Sequence, residues 1–322
     1  MHRTCKVTLN RETFFANRGD LLLDRAMMSG VELPHDCRSG ACGTCRVRLV
    51  AGKVFGGTEH DSDMIYACQA RVVSDIEVVT EPVPDPVSMR SRVAEVARLA
   101  PDVVRLVLEV PKPLRYLPGQ YCKLQFRGFP ARSYSPTFPL EGSPKAGLLH
   151  FHVRKLSGGI VSSALGNGIL AGHRVKITGP LGSAFFRPNH SGKIVLVSSG
   201  TGFAPMWSIA VAALQEQPHR KLLFVVAARC LRSFYMYGAL CRLARFPNVV
   251  IIPVVSEPQR ASTAIRNGRP TDYLAGLSPD DVVYASGAPA MTAQVARAAR
   301  AAGARCYTDP FLPTGLPASK AS

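Results

Sequence analysis

Three cysteines lie close together in the stretch Cys37-Arg38-Ser39-Gly40-Ala41-Cys42-Gly43-Thr44-Cys45, and a fourth, Cys68, follows after 22 further residues. The spacing is therefore C-x4-C-x2-C with one distant cysteine. Three thiolates from a tight loop and a fourth from a second segment are the ligand set of a [2Fe–2S] cluster. Gly40 and Gly43 let backbone amides approach the sulfides of such a cluster. A structural zinc site is the alternative, but zinc ribbons use two paired C-x2-C knuckles and Cys68 stands alone.

The other cysteines stand singly, mostly in apolar surroundings, and we interpret them as small buried fillers. They are Cys5, Cys122, Cys230, Cys241 and Cys306. The total of nine is odd, and residues 1–10 contain no apolar run of the kind that marks a secretion signal. These features predict a cytoplasmic protein in a reducing compartment rather than a disulfide framework.

Composition places the chain among ordinary globular proteins. It has 322 residues, of which 47% are hydrophobic and 19% are charged. At about 100–200 residues per domain, this length predicts two or three domains. The longest apolar runs fall far short of the ~18 residues that suggest a membrane span, so we expect a soluble protein with no membrane partner.

The net charge of +17 is unevenly distributed. Residues 1–80 hold 10 basic and 10 acidic side chains, residues 81–190 hold 15 and 6, and residues 191–322 hold 14 and 6. The basic residues are scattered singly, whereas a nucleic-acid binder gathers them in runs or arms. The pattern favours phosphate-bearing small molecules or an acidic protein partner and predicts no binding of nucleic acid.

Hydrophobic periodicity divides the chain into three domains. Residues 1–82 alternate as short strands around one helix, which indicates a small mixed α+β domain. The cysteine spacing resembles that of plant-type ferredoxins and implies that this domain is of the β-grasp type. Three alternating prolines mark a linker at 83–89. Closely spaced strands over 90–188 predict an antiparallel β-barrel, and alternating strands and helices over 189–312 predict a parallel α/β domain. The small, polar tail, 313–322, is predicted to be flexible.

Two motifs inside the predicted barrel resemble those of the ferredoxin–NADP reductase superfamily. Arg132-Ser133-Tyr134-Ser135 resembles its R-x-Y-S motif, and the stretch from Gly158 to Leu165 resembles its G-G-x-x-S-x-x-L motif, 26 residues further on. An arginine can grip a pyrophosphate bidentately, and a tyrosine offers a flat face to a ring. The resemblance implies FAD contacts from Arg132, Ser133, Tyr134, Ser135, Gly158, Gly159, Ile160, Val161 and Ser162. It places Ser135 beside the reactive flavin nitrogen.

The nicotinamide half of the resemblance begins at Ser199-Gly200-Thr201-Gly202-Phe203-Ala204-Pro205, which follows a buried strand and opens a helix. The superfamily has G-T-G-x-A-P here, and a C-G-x-P-x-M strand end later in the chain. Ser286 replaces that cysteine in Ser286-Gly287-Ala288-Pro289-Ala290-Met291. The resemblance implies that Ser135 and Ser286 are catalytic. It implies NAD(P)H contacts from Gly200, Thr201, Gly202, Pro205, Arg229, Arg232, Ser286 and Gly287.

Selectivity for the nicotinamide cofactor is expected to be set after the strand Leu222–Ala228. NADH-preferring relatives often place an acid there, but this chain has Ser233 between basic residues. Arg229 and Arg232 can accept a 2′-phosphate, so the sequence predicts NADH as donor, with NADPH as a second donor. Near the C-terminus, the resemblance implies that Phe311 lies beside the flavin.

The order of the three domains resembles that of the reductase components of bacterial ring-hydroxylating dioxygenases, especially the naphthalene-dioxygenase type. It implies electron transfer from NAD(P)H to FAD, then to the [2Fe–2S] cluster, and then to a Rieske-type or plant-type ferredoxin or a terminal oxygenase. Reductases of diiron or membrane hydroxylases and of sugar deoxygenation have the same order and stay as alternatives. A zinc-stabilised nucleic-acid-binding protein is the remote alternative, because it leaves the flavin and nicotinamide motifs without a role.

Overall fold

The computed structural model describes residues 4–59, 62–257 and 264–312. These residues divide into two compact units. The first holds residues 4–85 and the tripeptide Leu181–Ser183, and the second holds residues 86–180 and 184–312. The predicted flexible tail, 313–322, lies outside the described residues.

The first unit is a five-stranded mixed sheet of order β2-β1-β7-β3-β5 with one short helix. The strands are β1 (Thr4–Leu9), β2 (Glu12–Asn17), β3 (Arg46–Ala51), β4 (Val54–Phe55), β5 (Met64–Tyr66), β6 (Arg71–Val72) and β7 (Ile76–Thr80), and the helix is α1 (Leu22–Met28). β1 pairs in parallel with β7, and β4 and β6 form a separate ribbon. Alternation buries one face of β1, including Val7 and Leu9, against the apolar side of α1.

The second unit opens with a six-stranded sheet of order β11-β10-β13-β8-β9-β12. Its elements are β8 (Val87–Ala100), β9 (Val103–Glu109), β10 (Tyr121–Phe126), β11 (Arg132–Tyr134), β12 (Leu148–Arg154), α2 (Ile160–Ala164) and β13 (Arg174–Leu181). An antiparallel bridge between Thr137 and His150 joins the segment after β11 to β12 at the opposite edge. The sheet therefore curls into the predicted barrel around an apolar core.

A parallel six-stranded sheet of order β17-β16-β15-β14-β18-β19 completes the second unit. Its elements are β14 (Ile194–Ser199), α3 (Phe203–Glu216), β15 (Leu222–Ala228), α4 (Tyr237–Leu243), β16 (Val249–Val255), β17 (Arg266–Asn267), β18 (Val282–Gly287), α5 (Pro289–Ala301) and β19 (Arg305–Pro310). Because β14 lies between β15 and β18, the strand order reverses at its carboxyl end. Ligands of open α/β sheets bind at such a switch point.

The fold class predicted from the sequence is confirmed, and the differences are local. The glycine turn after β14 is itself a turn of 3-10 helix over Gly200–Gly202, continuous with α3. β8 begins at Val87, within the predicted linker, because Val87 pairs with Gly179 of β13. Among the described residues, no helix combines the length and the apolar character needed to cross a bilayer.

Candidate functional site

The four predicted cluster cysteines form two hydrogen-bonded pairs in the first unit. A hydrogen bond from Cys42 lowers the pKa of the Cys37 thiol, and a hydrogen bond from Cys45 lowers the pKa of the Cys68 thiol. The same contacts raise the pKa values of Cys42 and Cys45, and burial adds to this effect. The Cys37 Sγ also accepts the backbone N–H groups of Ser39 and Cys42, at 3.4 and 3.3 Å.

This arrangement fits a cluster in which each iron takes two thiolates. The pairs are Cys37 with Cys42 and Cys45 with Cys68, and backbone N–H groups already point at sulfur as they do around iron–sulfur clusters. In the described part of the chain, no three His, Cys, Asp or Glu side chains converge as they would around a single metal ion. Of the remaining cysteines, Cys241 is exposed, so the expectation of a buried filler is wrong there.

The first flavin motif lies on an edge strand of the barrel. Arg132 begins β11 and Tyr134 ends it, while Ser135 just beyond is only 5% exposed. The Arg132 Nη1 donates to the neighbouring carbonyl of Ala131 at 2.8 Å, and no described carboxylate pairs with this guanidinium. Burial raises the pKa of Tyr134 to about 12, so the phenol stays neutral. The residues fit FAD, because a guanidinium with no described carboxylate partner and a neutral ring stand two positions apart on one strand.

The second flavin motif forms a tight turn into α2. Gly159 caps the helix, and a Cβ at Gly159 would lie 2.4 Å from the Ser162 Oγ. That hydroxyl accepts the backbone N–H of Leu156 at 3.1 Å. Val161 is buried in the barrel core and Ile160 is 63% exposed. A ligand bound at this turn would therefore contact backbone groups rather than the side chain of Val161.

The glycine turn packs directly on the end of β18. A Cβ at Gly202 would lie 2.1 Å from the carbonyl oxygen of Ser286, so any larger residue would push the two segments apart. Pro205 is the third residue of α3, in the first helical turn where a missing N–H costs nothing. The structure thus brings together the two nicotinamide motifs, which are more than 80 residues apart in the sequence.

The flavin motif also docks on α3, the helix that follows the glycine turn. The Thr137 Oγ1 donates to the carbonyl of Ala204 at 2.8 Å, and the Ser208 Oγ donates to the carbonyl of Pro136 at 3.2 Å. Both donors are buried. The R-x-Y-S segment and the start of α3 therefore form one continuous wall of the site.

An acidic residue that the sequence analysis did not single out lies where the motifs meet. The Asp309 Oδ2 accepts hydrogen bonds from the Ser135 Oγ at 3.3 Å and from the Ser286 Oγ at 3.4 Å. Asp309 is on β19, in register with Ser286 on β18. Burial raises the pKa of Asp309 to about 6, while the two serine hydrogen bonds oppose that rise. Only the strand register could have found this contact, because nothing in the local sequence marks Asp309.

The predicted selectivity residues lie at the same carboxyl edge of the sheet. The Arg229 Nε is 2.6 Å from a carboxylate oxygen of Glu257, and the backbone N–H of Glu257 donates to the carbonyl of Arg229 at 2.9 Å. Arg232, in the 3-10 helix Leu231–Ser233, has no carboxylate partner among the described residues. The backbone N–H of Phe311 donates to the Gly287 carbonyl at 2.8 Å, and its side chain is 37% exposed.

Three family models match the chain in the predicted order. Residues 3–73 match a 2Fe-2S iron-sulfur cluster binding domain, residues 90–186 an oxidoreductase FAD-binding domain, and residues 196–297 an oxidoreductase NAD-binding domain. These matches confirm the predicted cofactors, FAD, a [2Fe–2S] cluster and NAD(P)H, and favour the cluster over the zinc alternative.

Curated relatives match over most of their length. The reductase subunit of an aromatic O-demethylase from Amycolatopsis sp. is 34% identical, over 79% of this chain and 80% of the relative. The ferredoxin–NAD(P)+ reductase component of the naphthalene 1,2-dioxygenase and salicylate 5-hydroxylase systems of Ralstonia sp. is 33% identical, over 96% and 97%. The naphthalene 1,2-dioxygenase counterpart from Pseudomonas putida is 30% identical, over 92% and 95%.

A solved structure agrees with these relatives. The crystal structure of a cytochrome P450 reductase from Amycolatopsis is 31% identical and superposes with a TM-score of 0.71, over 96% of this chain and 99% of that one. A ferredoxin reductase of carbazole 1,9a-dioxygenase, 23% identical, shares the fold with a TM-score of 0.68, over 97% and 99%. The chain therefore belongs to the family of ferredoxin–NAD(P)+ reductases, oxidoreductases that combine a [2Fe–2S] domain with FAD-binding and NAD-binding domains.

Proposed function

We propose that this chain is the reductase component of a bacterial aromatic-ring dioxygenase system. It oxidises NADH, with NADPH as a second donor, and delivers single electrons to a Rieske-type or plant-type ferredoxin or to the terminal oxygenase. The observation that carries the redox part is the meeting of Ser135, Ser286 and Asp309 from three distant segments. The acceptor rests on relatives that match over nearly the whole chain.

The predicted motif residues would hold the cofactors. Arg132 and the turn before α2 would bind the FAD phosphates, and Tyr134 would lie against its ring. The turn Gly200–Gly202 and the end of β18 would receive the nicotinamide nucleotide, and the four cysteines would ligate the cluster. When bound, FAD accepts electrons in pairs and the cluster releases them singly.

The protein contributes orientation rather than acid–base chemistry at a substrate. Ionised Asp309 draws both serine hydrogens to itself, so the lone pairs of Ser135 and Ser286 turn away from the carboxylate. The hydrogen bonds from Thr137 to Ala204 of α3 and from Ser208 of α3 to Pro136 fix where the flavin motif lies relative to the glycine turn. These contacts preorganise the place where nicotinamide and flavin must meet.

A cytochrome P450 that demethylates aromatic ethers is the second candidate acceptor. It is favoured by the 34% identity to the aromatic O-demethylase reductase subunit and by the likeness to the Amycolatopsis P450 reductase. Monooxygenase systems of other kinds also have similar components, including the xylene/toluene monooxygenase of Pseudomonas putida at 30% identity. Donor oxidation and the internal electron route are the same in all these cases.

The test is an anaerobic visible spectrum of the purified protein before and after NADH, with iron and released flavin quantified. We expect flavin bands on a broad iron–sulfur absorption, both bleached by NADH. Protein that stays colourless after reconstitution with iron, sulfide and FAD would refute the proposal. Purified acceptors supplied one at a time, a Rieske ferredoxin, a plant-type ferredoxin and a P450, then separate the dioxygenase assignment from the demethylase one.

A further inference from the structure

One exposed side chain joins the cysteine loop to the segment that carries the fourth cysteine. The Gln69 Nε2 donates to the backbone carbonyls of Arg38 and Cys68, both at 2.9 Å, and it lies 3.8 Å from the Cys68 Sγ. The Gln69 Cγ would lie 3.2 Å from a Cβ at Gly40, so its side chain runs directly over the loop. Gln69 thus connects the two cysteine-bearing segments through one hydrogen bond to each.

The amide of Gln69 has only one workable orientation. Both close contacts are to carbonyl oxygens, so the NH2 group must face them, since the amide oxygen there would meet two acceptors. The NH2 group has two hydrogens for three acceptors. The Cys68 Sγ therefore shares a hydrogen with a carbonyl, and a positive amide dipole end stands beside the sulfur.

The residue that Gln69 holds is in an unfavourable backbone conformation. Arg38 has φ +56°, in the left-handed region that non-glycine residues rarely adopt. Its guanidinium pairs with Asp24 on α1, and its carbonyl accepts the Gln69 hydrogen bond. Strained residues persist where the surroundings fix them on several sides. Gln69 and Asp24 therefore both hold the loop at this point.

We propose that Gln69 is a positioning residue for the cluster, which holds the loop against the Cys68 segment and raises the cluster's reduction potential. The inference rests on the proposed ligation by the four cysteines. Reduction adds negative charge to the cluster and its sulfurs, and a donor beside a ligating sulfur stabilises that charge. The Cys68 Sγ already receives the backbone N–H of Gly40, so Gln69 supplies a second donor from the solvent side.

Two substitutions separate the donor from the bulk of the side chain. Gln69→Met keeps the length and removes the donor, while Gln69→Glu keeps the shape and places a carboxylate beside the sulfur. We expect the equilibrium between reduced and oxidised cluster to shift toward the oxidised form about threefold in Gln69→Met. In Gln69→Glu we expect about tenfold, which is ~59 mV for a one-electron couple. The measurement is a redox titration of the holoprotein followed by the EPR signal of the reduced cluster.

The matched control is Asn17→Asp, which adds the same charge at the exposed end of β2. We expect this control to leave the potential unchanged. Iron content is measured for every variant. Loss of iron from Gln69→Met but not from Asn17→Asp would support the role of Gln69 in holding the loop. In that case the effect on the reduction potential is measured in Gln69→Glu. Full iron with potentials equal to the wild type in both Gln69 variants would overturn the inference. A wild type without a reduced-cluster signal would instead refute the proposed function.

Discussion

Replacing Asp309 with asparagine is expected to make the protein more stable and less active. The pKa of this carboxyl rises from 3.8 to about 6 on folding. The folded state therefore holds the proton more tightly, and stability is lost as the pH rises from about 4 through 6. At ~1.36 kcal/mol per pKa unit, ionised Asp309 lowers the free energy of unfolding by about 3 kcal/mol. We reduce this value to about 2 kcal/mol because the side chain is only partly buried. Asparagine does not ionise and avoids this cost.

Thermal unfolding of the holoprotein at pH 8 and pH 5 measures the effect. With about 2–4 °C per kcal/mol for a unit of this size, we expect Asp309→Asn to melt roughly 4–8 °C above the wild type at pH 8. The gap should narrow at pH 5, where the wild-type carboxyl is largely protonated. A variant less stable than the wild type at pH 8 would refute the reasoning, because the carboxylate would then be a net stabilising group.

The same substitution should slow NADH oxidation. Hydrogen bonds to a charged acceptor are roughly twice as strong as those to a neutral one, and the two serine bonds are long. Halving two bonds of ~1.5 kcal/mol weakens the orientation of the serines by about 1.5 kcal/mol, or about tenfold in rate. The wild-type rate should fall below pH 6 and the variant's rate should be flat there. Unaltered rates across this range would refute the positioning role.

Another acid of the same sheet, Asp281, provides the matched control. Asp281 is 4% exposed and lies just before β18, at the opposite edge of the same sheet. It is 3.3 Å from the Lys193 ammonium, so its removal leaves a cation without its partner. We expect Asp281→Asn to lower the melting temperature and leave the rate of NADH oxidation unchanged, the reverse of both effects at Asp309.

Three further substitutions, the first with a control, test the other parts of the site. Cys68→Ser should lose iron, and its rate of ferredoxin reduction should fall at least a hundredfold, while its flavin content and NADH–ferricyanide activity are kept. The control Cys241→Ser, at an exposed cysteine, should keep its iron, its flavin and both activities. Glu257→Gln removes the ion-pair partner of Arg229 and leaves its guanidinium available for a 2′-phosphate. The ratio of kcat/KM for NADPH to that for NADH should rise about threefold, because an exposed ion pair is worth ~1 kcal/mol or less. An unchanged ratio would show that this pair does not affect selectivity. Gly202→Ala must displace the end of β18 and should weaken NADH binding at least tenfold by titration, with FAD content unchanged; full NADH affinity would contradict the close packing.

The cysteine loop shows what the sequence could predict. Three of the four proposed ligands lie within nine residues, so their spacing alone indicates the chemistry. The structure places Cys37 with Cys42 and Cys45 with Cys68. The glycine turn was equally predictable, because a turn between a buried strand and a helix is a local pattern. What the sequence did not indicate is that the turn itself is helical over Gly200–Gly202.

The ion pair between Arg229 and Glu257 could not be predicted from local sequence patterns. The basic side chain of Arg229 suggested a phosphate ligand, but Glu257, which neutralises it, comes from the segment after the next strand. That contact depends on the parallel register of β15 and β16, in which Ala228 lies beside Val255. A register of this kind cannot be deduced from either strand alone, since both are uniformly apolar.

Asp309 illustrates the same limit at the centre of the site, and it connects stability with function. Its position beside Ser286 follows from the pairing of β18 with β19, and its position near Ser135 follows from the docking of the flavin motif on α3. A carboxyl with a raised pKa destabilises the folded state at neutral pH. Its hydrogen bonds to the two serines therefore do not offset the free-energy cost of its burial. A group that costs stability where two proposed cofactor sites meet is best explained by what it orients there. This explanation requires the stability gain and the loss of rate to occur together in the same substitution.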